Sequence, residues 1–136
     1  AGTLNVPGLA GLGAGVEWIL SQGVEALHEK ETALTRLFYE KIVRAPGVKI
    51  YGSFDETDRA PIVSLNFGDE DAARAADILW EDYGICVRAG AHCAPLIHKA
   101  LGTVEQGMVR FSFSHQNTEA EVLRAAEAVC ELAEEG

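Results

Sequence analysis

The spacing of apolar residues predicts two helices in the first third of the chain. The first is predicted over 10–22, with Pro7 in a leading turn and Gly23 as a break. A longer amphipathic helix is predicted over 24–44, where apolar residues recur at helical spacing: Leu27, Leu34, Leu37, Phe38 and Ile42. This part of the sequence therefore predicts a helix that packs one apolar side against a core.

Four short strands are predicted in the remainder, because apolar and polar residues alternate there. They cover 48–51, 62–67, 85–88 and 108–114. In the last of these, Val109, Phe111 and Phe113 face one way, whereas Arg110 and Ser112 face the other. An arginine on a strand that is apolar on its opposite side is a candidate for chemistry.

Two further helices and a shorter helical segment complete the pattern. A helix is predicted over 70–83 and a helical turn or two over 96–101, and the capping box of Thr118 and Glu121 predicts the start of a last helix. The order of elements predicts an α+β fold, an α/β sandwich in which a small sheet carries helices packed on one face.

Composition and charge exclude several classes of partner. The chain has 136 residues, 48% of them hydrophobic, and a formal net charge of −10. This length predicts one domain with a core of its own. The acidic balance argues against binding to nucleic acid or to an anionic membrane, since both need basic patches. Three cysteines at irregular spacing indicate a reducing compartment, so the cytoplasm is expected.

Candidate chemistry is concentrated in the segment 88–95, of sequence RAGAHCAP. Cys93 lies in a tight loop beside His92 and near Arg88, and positive neighbours with exposed backbone N–H groups favour a thiolate. The alternative is a small buried hydrophobic residue in a turn. A metal site is a third interpretation, although its ligands match no common zinc spacing: Cys86, His92, Cys93 and His98. The loop context favours a reactive thiol.

Two arginines have two interpretations each. Arg110 and Arg88 could each bind a substrate carboxylate through two parallel hydrogen bonds. They could equally form salt bridges with some of the 21 acidic residues, and the pattern alone favours the salt bridges. Cys86 and Cys130 are expected to be structural.

Taken together, these motifs resemble the C-terminal part of cysteine desulfurases, which belong to the class V aminotransferase branch of pyridoxal-phosphate enzymes. Gly2-Thr3-Leu4-Asn5 is similar to the segment after that family's cofactor lysine. The loop 88–94 is similar to its catalytic-cysteine loop. Val109-Arg110-Phe111-Ser112, with Asn117-Thr118, is similar to its substrate-carboxylate strand and the entry to its last helix. The resemblance covers essentially the whole chain.

The resemblance implies a role for each matching residue. Cys93 would take the sulfur of L-cysteine as a persulfide, release L-alanine and pass the sulfur to an acceptor protein, as in iron–sulfur cluster assembly. Arg110 would bind the substrate carboxylate, with Arg88 beside it. His92, which precedes the nucleophile as in the family, would support it.

The resemblance also implies that the chain is part of a longer enzyme, here called the parent. The family's Schiff-base lysine lies upstream of the matching segment, and the chain has only Lys30, Lys41, Lys49 and Lys99. Residues 1–23 would be a linker helix and the edge of a large pyridoxal-phosphate domain, and 24–136 the small C-terminal domain of a fold-type I enzyme. Thr3, with the backbone of Gly2, would contact the cofactor phosphate in a homodimer. The isolated chain is expected to be inactive.

Three alternatives stay open at this point. The parent could be a selenocysteine lyase, since such enzymes share the cysteine loop. It could also be another class V enzyme that performs aminotransfer, epimerisation or lyase chemistry without a persulfide. From a different class, the chain could be a non-catalytic thiol-bearing domain that docks to a protein through its acidic surface.

Overall fold

The computed structural model describes residues 2–55 and 59–135. Its helices and strands follow in this order: α1 (Val6–Gln22), α2 (Val24–Ile42), β1 (Val48–Tyr51), β2 (Ile62–Phe67), α3 (Ala72–Glu81), β3 (Arg88–Gly90), α4 (Pro95–Leu101), β4 (Met108–Ser112) and α5 (Glu119–Glu135). The order agrees with the one that the hydrophobic pattern predicts.

The four strands form one antiparallel sheet in the order β1-β2-β4-β3. Strand β4 lies between β2 and β3, although it is the last of the four in sequence. Its Arg110 is therefore paired on one side with Ser64 of β2 and on the other with Arg88 of β3. Side chains that are paired across strands project from the same face of a sheet, so these three residues form a row.

The core lies between one face of the sheet and the helices α2, α3 and α5. Its largest fully buried side chains come from both layers: Phe38, Ile42, Val63, Leu65, Leu79, Val109, Val122 and Val129. The Phe38 ring lies 4.7 Å from that of Phe111 and 5.1 Å from that of Phe113. The predicted α+β sandwich with helices on one face is confirmed. We call the opposite face, which carries Ser64, Arg88, Arg110 and Ser112, the outer face.

Helix α1 contributes no buried residue to this core. Its apolar side chains remain exposed, among them Leu9, Leu12 and Leu20, and its contacts are with α2 and through Trp18, whose ring lies 5.1 Å from that of His115. Among the described residues, no helix has both the length and the apolar character needed to cross a membrane. The sheet and the helices after Gly23 thus form the core without α1.

Two predicted strand boundaries were wrong. The strand expected over 85–88 is Arg88–Gly90, because the N–H of Ile85 donates to the Leu79 carbonyl at 2.9 Å and closes the end of α3 instead of pairing. Cys86 is therefore exposed ahead of the strand rather than inside it. Strand β4 ends at Ser112 rather than 114, since the side chain of Asn117 accepts the Ser114 N–H at 2.9 Å.

The predicted capping box is confirmed at the start of α5. The N–H of Thr118 donates to a carboxylate oxygen of Glu121 at 2.8 Å, and the N–H of Glu121 donates to the Thr118 hydroxyl at 3.2 Å. These bonds lower the pKa of the Glu121 carboxyl, because they favour its charged form. The box fixes the start of α5, the helix that packs against α2 and contributes Val122 and Val129 to the core.

Because α1 is exposed and the core is buried, shortening a leucine side chain should lower the free energy of unfolding much more in the core than on α1. Leu79→Ala empties a site with 0% exposure and should lower the free energy of unfolding by about 2–5 kcal/mol. Leu12→Ala, at a position 65% exposed on α1, is the matched control and should change it by less than about 0.5 kcal/mol. Urea unfolding of the chain measures both, and equal losses would contradict the described core.

Candidate active site on the outer face of the sheet

The chain leaves β3 through a tight turn that carries the candidate thiol. The N–H of Ala94 donates to the carbonyl of Ala91 at 2.9 Å, which closes a four-residue turn around His92 and Cys93. Both central residues have positive φ angles, 52° for His92 and 58° for Cys93. These are the φ signs of a type I′ turn, in which glycine and asparagine are the usual residues. Two L side chains with a Cβ atom are therefore held here in a strained conformation.

Arg88 contacts both of these residues. Its guanidinium Nη2 lies 3.7 Å from the Sγ atom of Cys93, and its backbone carbonyl accepts a hydrogen bond from Nε2 of His92 at 2.9 Å. Because a carbonyl can only accept, Nε2 of His92 carries a proton. The Cys93 side chain is exposed, so reagents and substrates can reach the thiol. The structure thus brings together Arg88, His92 and Cys93, as the sequence predicts.

A second arginine lies directly across the sheet from the first. Arg88 and Arg110 are paired on β3 and β4, a position at which Cβ atoms are about 5 Å apart and like charges repel. Nε of Arg110 donates to the hydroxyl of Ser112 at 3.2 Å. Two guanidinium groups on one face make a site that attracts anions.

The salt bridges that the pattern favours for the two arginines are absent. Within residues 2–55 and 59–135, neither Arg88 nor Arg110 forms an ion pair with a carboxylate. The physical reason is the register of the sheet, since Arg110 has Ser64 and Arg88 as its cross-strand neighbours and no acidic residue. That prediction was wrong, and both positive charges remain available to a ligand.

His98 follows the turn in sequence and, unlike its neighbours in α4, is buried. Its Nδ1 lies 2.8 Å from the Thr103 hydroxyl. Its ring centroid is 6.0 Å from that of His92. Sequence reasoning considered His98 only as a metal ligand, and the described residues contain no group of three or more His, Cys, Asp or Glu side chains suited to a metal ion. Its burial could not be predicted, because the more apolar Leu96 and Ile97 are the exposed residues of α4.

The surroundings of His92 keep its ring neutral. Burial is the main cause that lowers the pKa of the His92 imidazole, and the positive charges of Arg110 and Arg88, with His98, lower it further. The hydrogen bond to the Arg88 carbonyl acts in the opposite direction but does not prevail. His92 is therefore a neutral donor beside the thiol.

The residues predicted to contact a cofactor phosphate lie elsewhere in the chain. Gly2 and Thr3 are exposed in the stretch before α1, whose first turn is capped by the side chain of Asn5, 3.1 Å from the N–H of Gly8. No contact described here tests their role, which stays a prediction.

Comparison with known proteins defines the family. A model of the aminotransferase class-V family matches residues 1–124, and the chain belongs to that family. A cysteine desulfurase of Serratia proteamaculans is 36% identical over 125 residues, which are 91% of this chain and 29% of that protein.

Solved structures of cysteine desulfurases have the same fold. The apo enzyme of Thermococcus onnurineus is 33% identical with a TM-score of 0.91, over 100% of this chain and 33% of that one. An Escherichia coli enzyme is 29% identical with a TM-score of 0.84, over 99% of this chain and 32% of that one. The chain thus spans about a third of the length of the relatives it matches.

Two of the four lysines have partners away from the thiol, and the other two are exposed near helix ends. Lys30 donates to the His115 carbonyl, and Nζ of Lys49 lies 4.9 Å from the ring centroid of Tyr51 on β1, the edge strand farthest from β3. Lys41 and Lys99 are exposed in the last turns of α2 and α4. The lysines of the described residues therefore do not join the cluster of Arg88, His92 and Cys93 in any contact given above.

The lowered pKa of His92 predicts how stability depends on pH. The folded chain binds the His92 proton less readily than the unfolded chain, whose histidines titrate near the ordinary value of 6.5. The unfolded state therefore binds more protons, and stability falls as the pH drops through 6.5 towards the folded-state value. His92→Gln keeps a donor but cannot titrate. Between about pH 7.5 and pH 5.5 the unmodified chain should lose more stability in urea titrations than this variant; parallel losses would contradict the assignment.

Proposed function

We propose that the parent is a cysteine desulfurase and that this chain carries its nucleophile, Cys93. One observation carries the proposal: an exposed thiol lies 3.7 Å from one guanidinium, which is paired across the sheet with a second guanidinium, and neither has a carboxylate partner among the described residues. A thiolate and a substrate carboxylate are the two anions that this arrangement suits. The named activity of the relatives supports the same conclusion.

The chemistry assigned to Cys93 is attack by its thiolate on the sulfur of L-cysteine. A bond forms between the two sulfur atoms and the carbon–sulfur bond of the substrate breaks. The electron pair stays on the substrate carbon, which takes up a proton, so the products are L-alanine and a Cys93 persulfide. Pyridoxal phosphate, when bound by the parent, supplies the electron sink for this cleavage.

Arg110 is assigned to the substrate carboxylate. Its Nε is already bonded to the Ser112 hydroxyl, and its two terminal nitrogens have no hydrogen-bond partner within residues 2–55 and 59–135. Two parallel N–H groups match the two oxygens of a carboxylate. Arg88 lies nearer the thiol and is assigned to the sulfur anion. Arg110 would then hold the carboxylate end of the substrate, and Arg88 would lie beside the sulfur that attacks its other end.

Binding of the cofactor is proposed to depend mainly on the rest of the parent. Residues 1–23 are proposed as the linker helix and the edge of the large domain, and 24–136 as the small domain. The exposed apolar side of α1 and the core formed without it support this division. Thr3 and the backbone of Gly2 are proposed at the cofactor phosphate of a homodimer. Release of sulfur to an acceptor protein and a cytoplasmic location complete the proposal, and the three free thiols agree with a reducing compartment.

The persulfide gives the direct test of this function. The parent is incubated with pyridoxal phosphate and L-cysteine, digested without reductant, and its cysteine peptides are weighed. We expect one added sulfur on the peptide that contains Cys93, and alanine in equal amount. Cys93→Ala should lower alanine formation by more than about a thousandfold, since it removes the nucleophile.

The matched control is Cys86→Ala, which removes another exposed thiol and should leave alanine formation unchanged. Alanine formation that survives Cys93→Ala, or an unmodified Cys93 peptide in an enzyme that consumes L-cysteine, would refute the proposal. Formation of alanine from L-selenocysteine alone would assign the parent to selenium instead.

A further inference from the structure

The turn that presents Cys93 cannot be stable through its local sequence alone. Positive φ at both central positions favours glycine, asparagine or aspartate, and this chain has His92 and Cys93 there. Each such residue is less stable there than in an ordinary backbone conformation. The 2.9 Å bond between Ala91 and Ala94 closes the turn but would also form in turns with other φ signs. Another contact must therefore select the observed conformation.

The side chain of His92 supplies a contact of the right kind. Its Nε2–H donates to the carbonyl of Arg88 at 2.9 Å and so ties the first central residue of the turn back to the strand four residues earlier. The same Arg88 holds its guanidinium 3.7 Å from Sγ of the second central residue. Arg88 therefore makes both contacts: its backbone carbonyl accepts the hydrogen bond from His92, and its guanidinium contacts the thiol. A change at His92 that releases the turn also moves the thiol away from the guanidinium.

We propose that His92 is a positioning residue, whose hydrogen bond to the Arg88 carbonyl holds Cys93 in the strained turn with its sulfur against the Arg88 guanidinium. The inference rests on the proposed function for the importance of Cys93, but its geometry does not depend on it. His92 acts through Cys93 and needs no contact with the substrate. A neutral ring suits this role, because a third positive charge beside Arg88 and Arg110 would be unfavourable.

Two substitutions separate the hydrogen bond from the other properties of the ring. Gln carries an amide N–H at nearly the distance of the histidine Nε2 and can reach the same carbonyl. Asn accepts a positive φ angle more readily than Gln but is too short to reach it. If the bond positions the thiol, His92→Gln should behave like the unmodified protein and His92→Asn should not. If the strain alone mattered, the order would be reversed.

The readout is the preference of Cys93 for an anionic over a neutral alkylating reagent. Iodoacetate and iodoacetamide react with the same thiolate, so the ratio of their rates cancels the ionised fraction and the exposure of the sulfur. A guanidinium about 4 Å away should raise this ratio by about fivefold over that of a short peptide with sequence 90–95. The rates are measured on the intact parent by weighing the Cys93 peptide.

The expected pattern is specific. The ratio should stay high in His92→Gln and fall about two- to fivefold in His92→Asn, towards the value of Arg88→Gln, in which the guanidinium is removed. His28→Asn, at an exposed position on α2, is the matched control and should leave the ratio unchanged. Circular dichroism of each variant checks that the parent remains folded.

Two results would overturn the proposal. A high ratio in His92→Asn would mean that the turn holds its conformation without the bond. A low ratio in both His92→Asn and His92→Gln would mean that the imidazole acts in some way other than by this donor. Alkylation needs neither cofactor nor L-cysteine, so the proposed desulfurase activity can fail while this inference stands, and the reverse is equally true.

Discussion

The candidate site depends on the register between β3 and β4, which sets Arg88 opposite Arg110. Like charges at paired positions on neighbouring strands repel each other. The core enforces the pairing, since Val109 and Phe111 are buried against the helices and turn Arg110 outward. A slip by one residue would exchange these faces and bury the guanidinium. Packing of the buried apolar residues of β4 thus keeps two positive charges side by side, although they repel each other. Such a pair of charges attracts an anion.

The remaining parts of the site follow from this pairing. Strand β3 ends at Gly90, and the next four residues form the turn. The turn reverses the chain, so that Cys93 contacts Arg88, the first residue of the same strand. The hydrogen bond from His92 to the Arg88 carbonyl is the contact proposed to offset the strain in the turn. Burial, together with the nearby positive charges, lowers the pKa of the His92 ring. Arg88 thus contacts the thiol and is also the cross-strand neighbour of Arg110, although β3 and β4 are separated along the chain.

The sequence predicted the elements with long apolar patterns and the chemistry held in short motifs. Helices α2 and α5 and the outward side of Arg110 follow from periodicity, and Cys93 stood out through its loop. The pairing of Arg88 with Arg110 could not be predicted in this way. Strand order depends on residues that are distant in sequence, and no local pattern encodes which strand lies beside which. The bounds of β3 were missed since backbone bonds at Ile85 end the helix there. The burial of His98 was missed because α4 exposes its apolar residues.

In the proposed site, Arg110 binds the carboxylate of the substrate and Cys93 lies at the reactive sulfur at its other end. A crystal structure of the parent with L-2-aminobutyrate, in which a methyl group replaces the reactive sulfur of L-cysteine, tests this arrangement directly. We expect the carboxylate within about 3 Å of the terminal nitrogens of Arg110 and the methyl group in contact with Sγ of Cys93. A carboxylate bound away from Arg110, or a methyl group directed away from Cys93, would contradict the account.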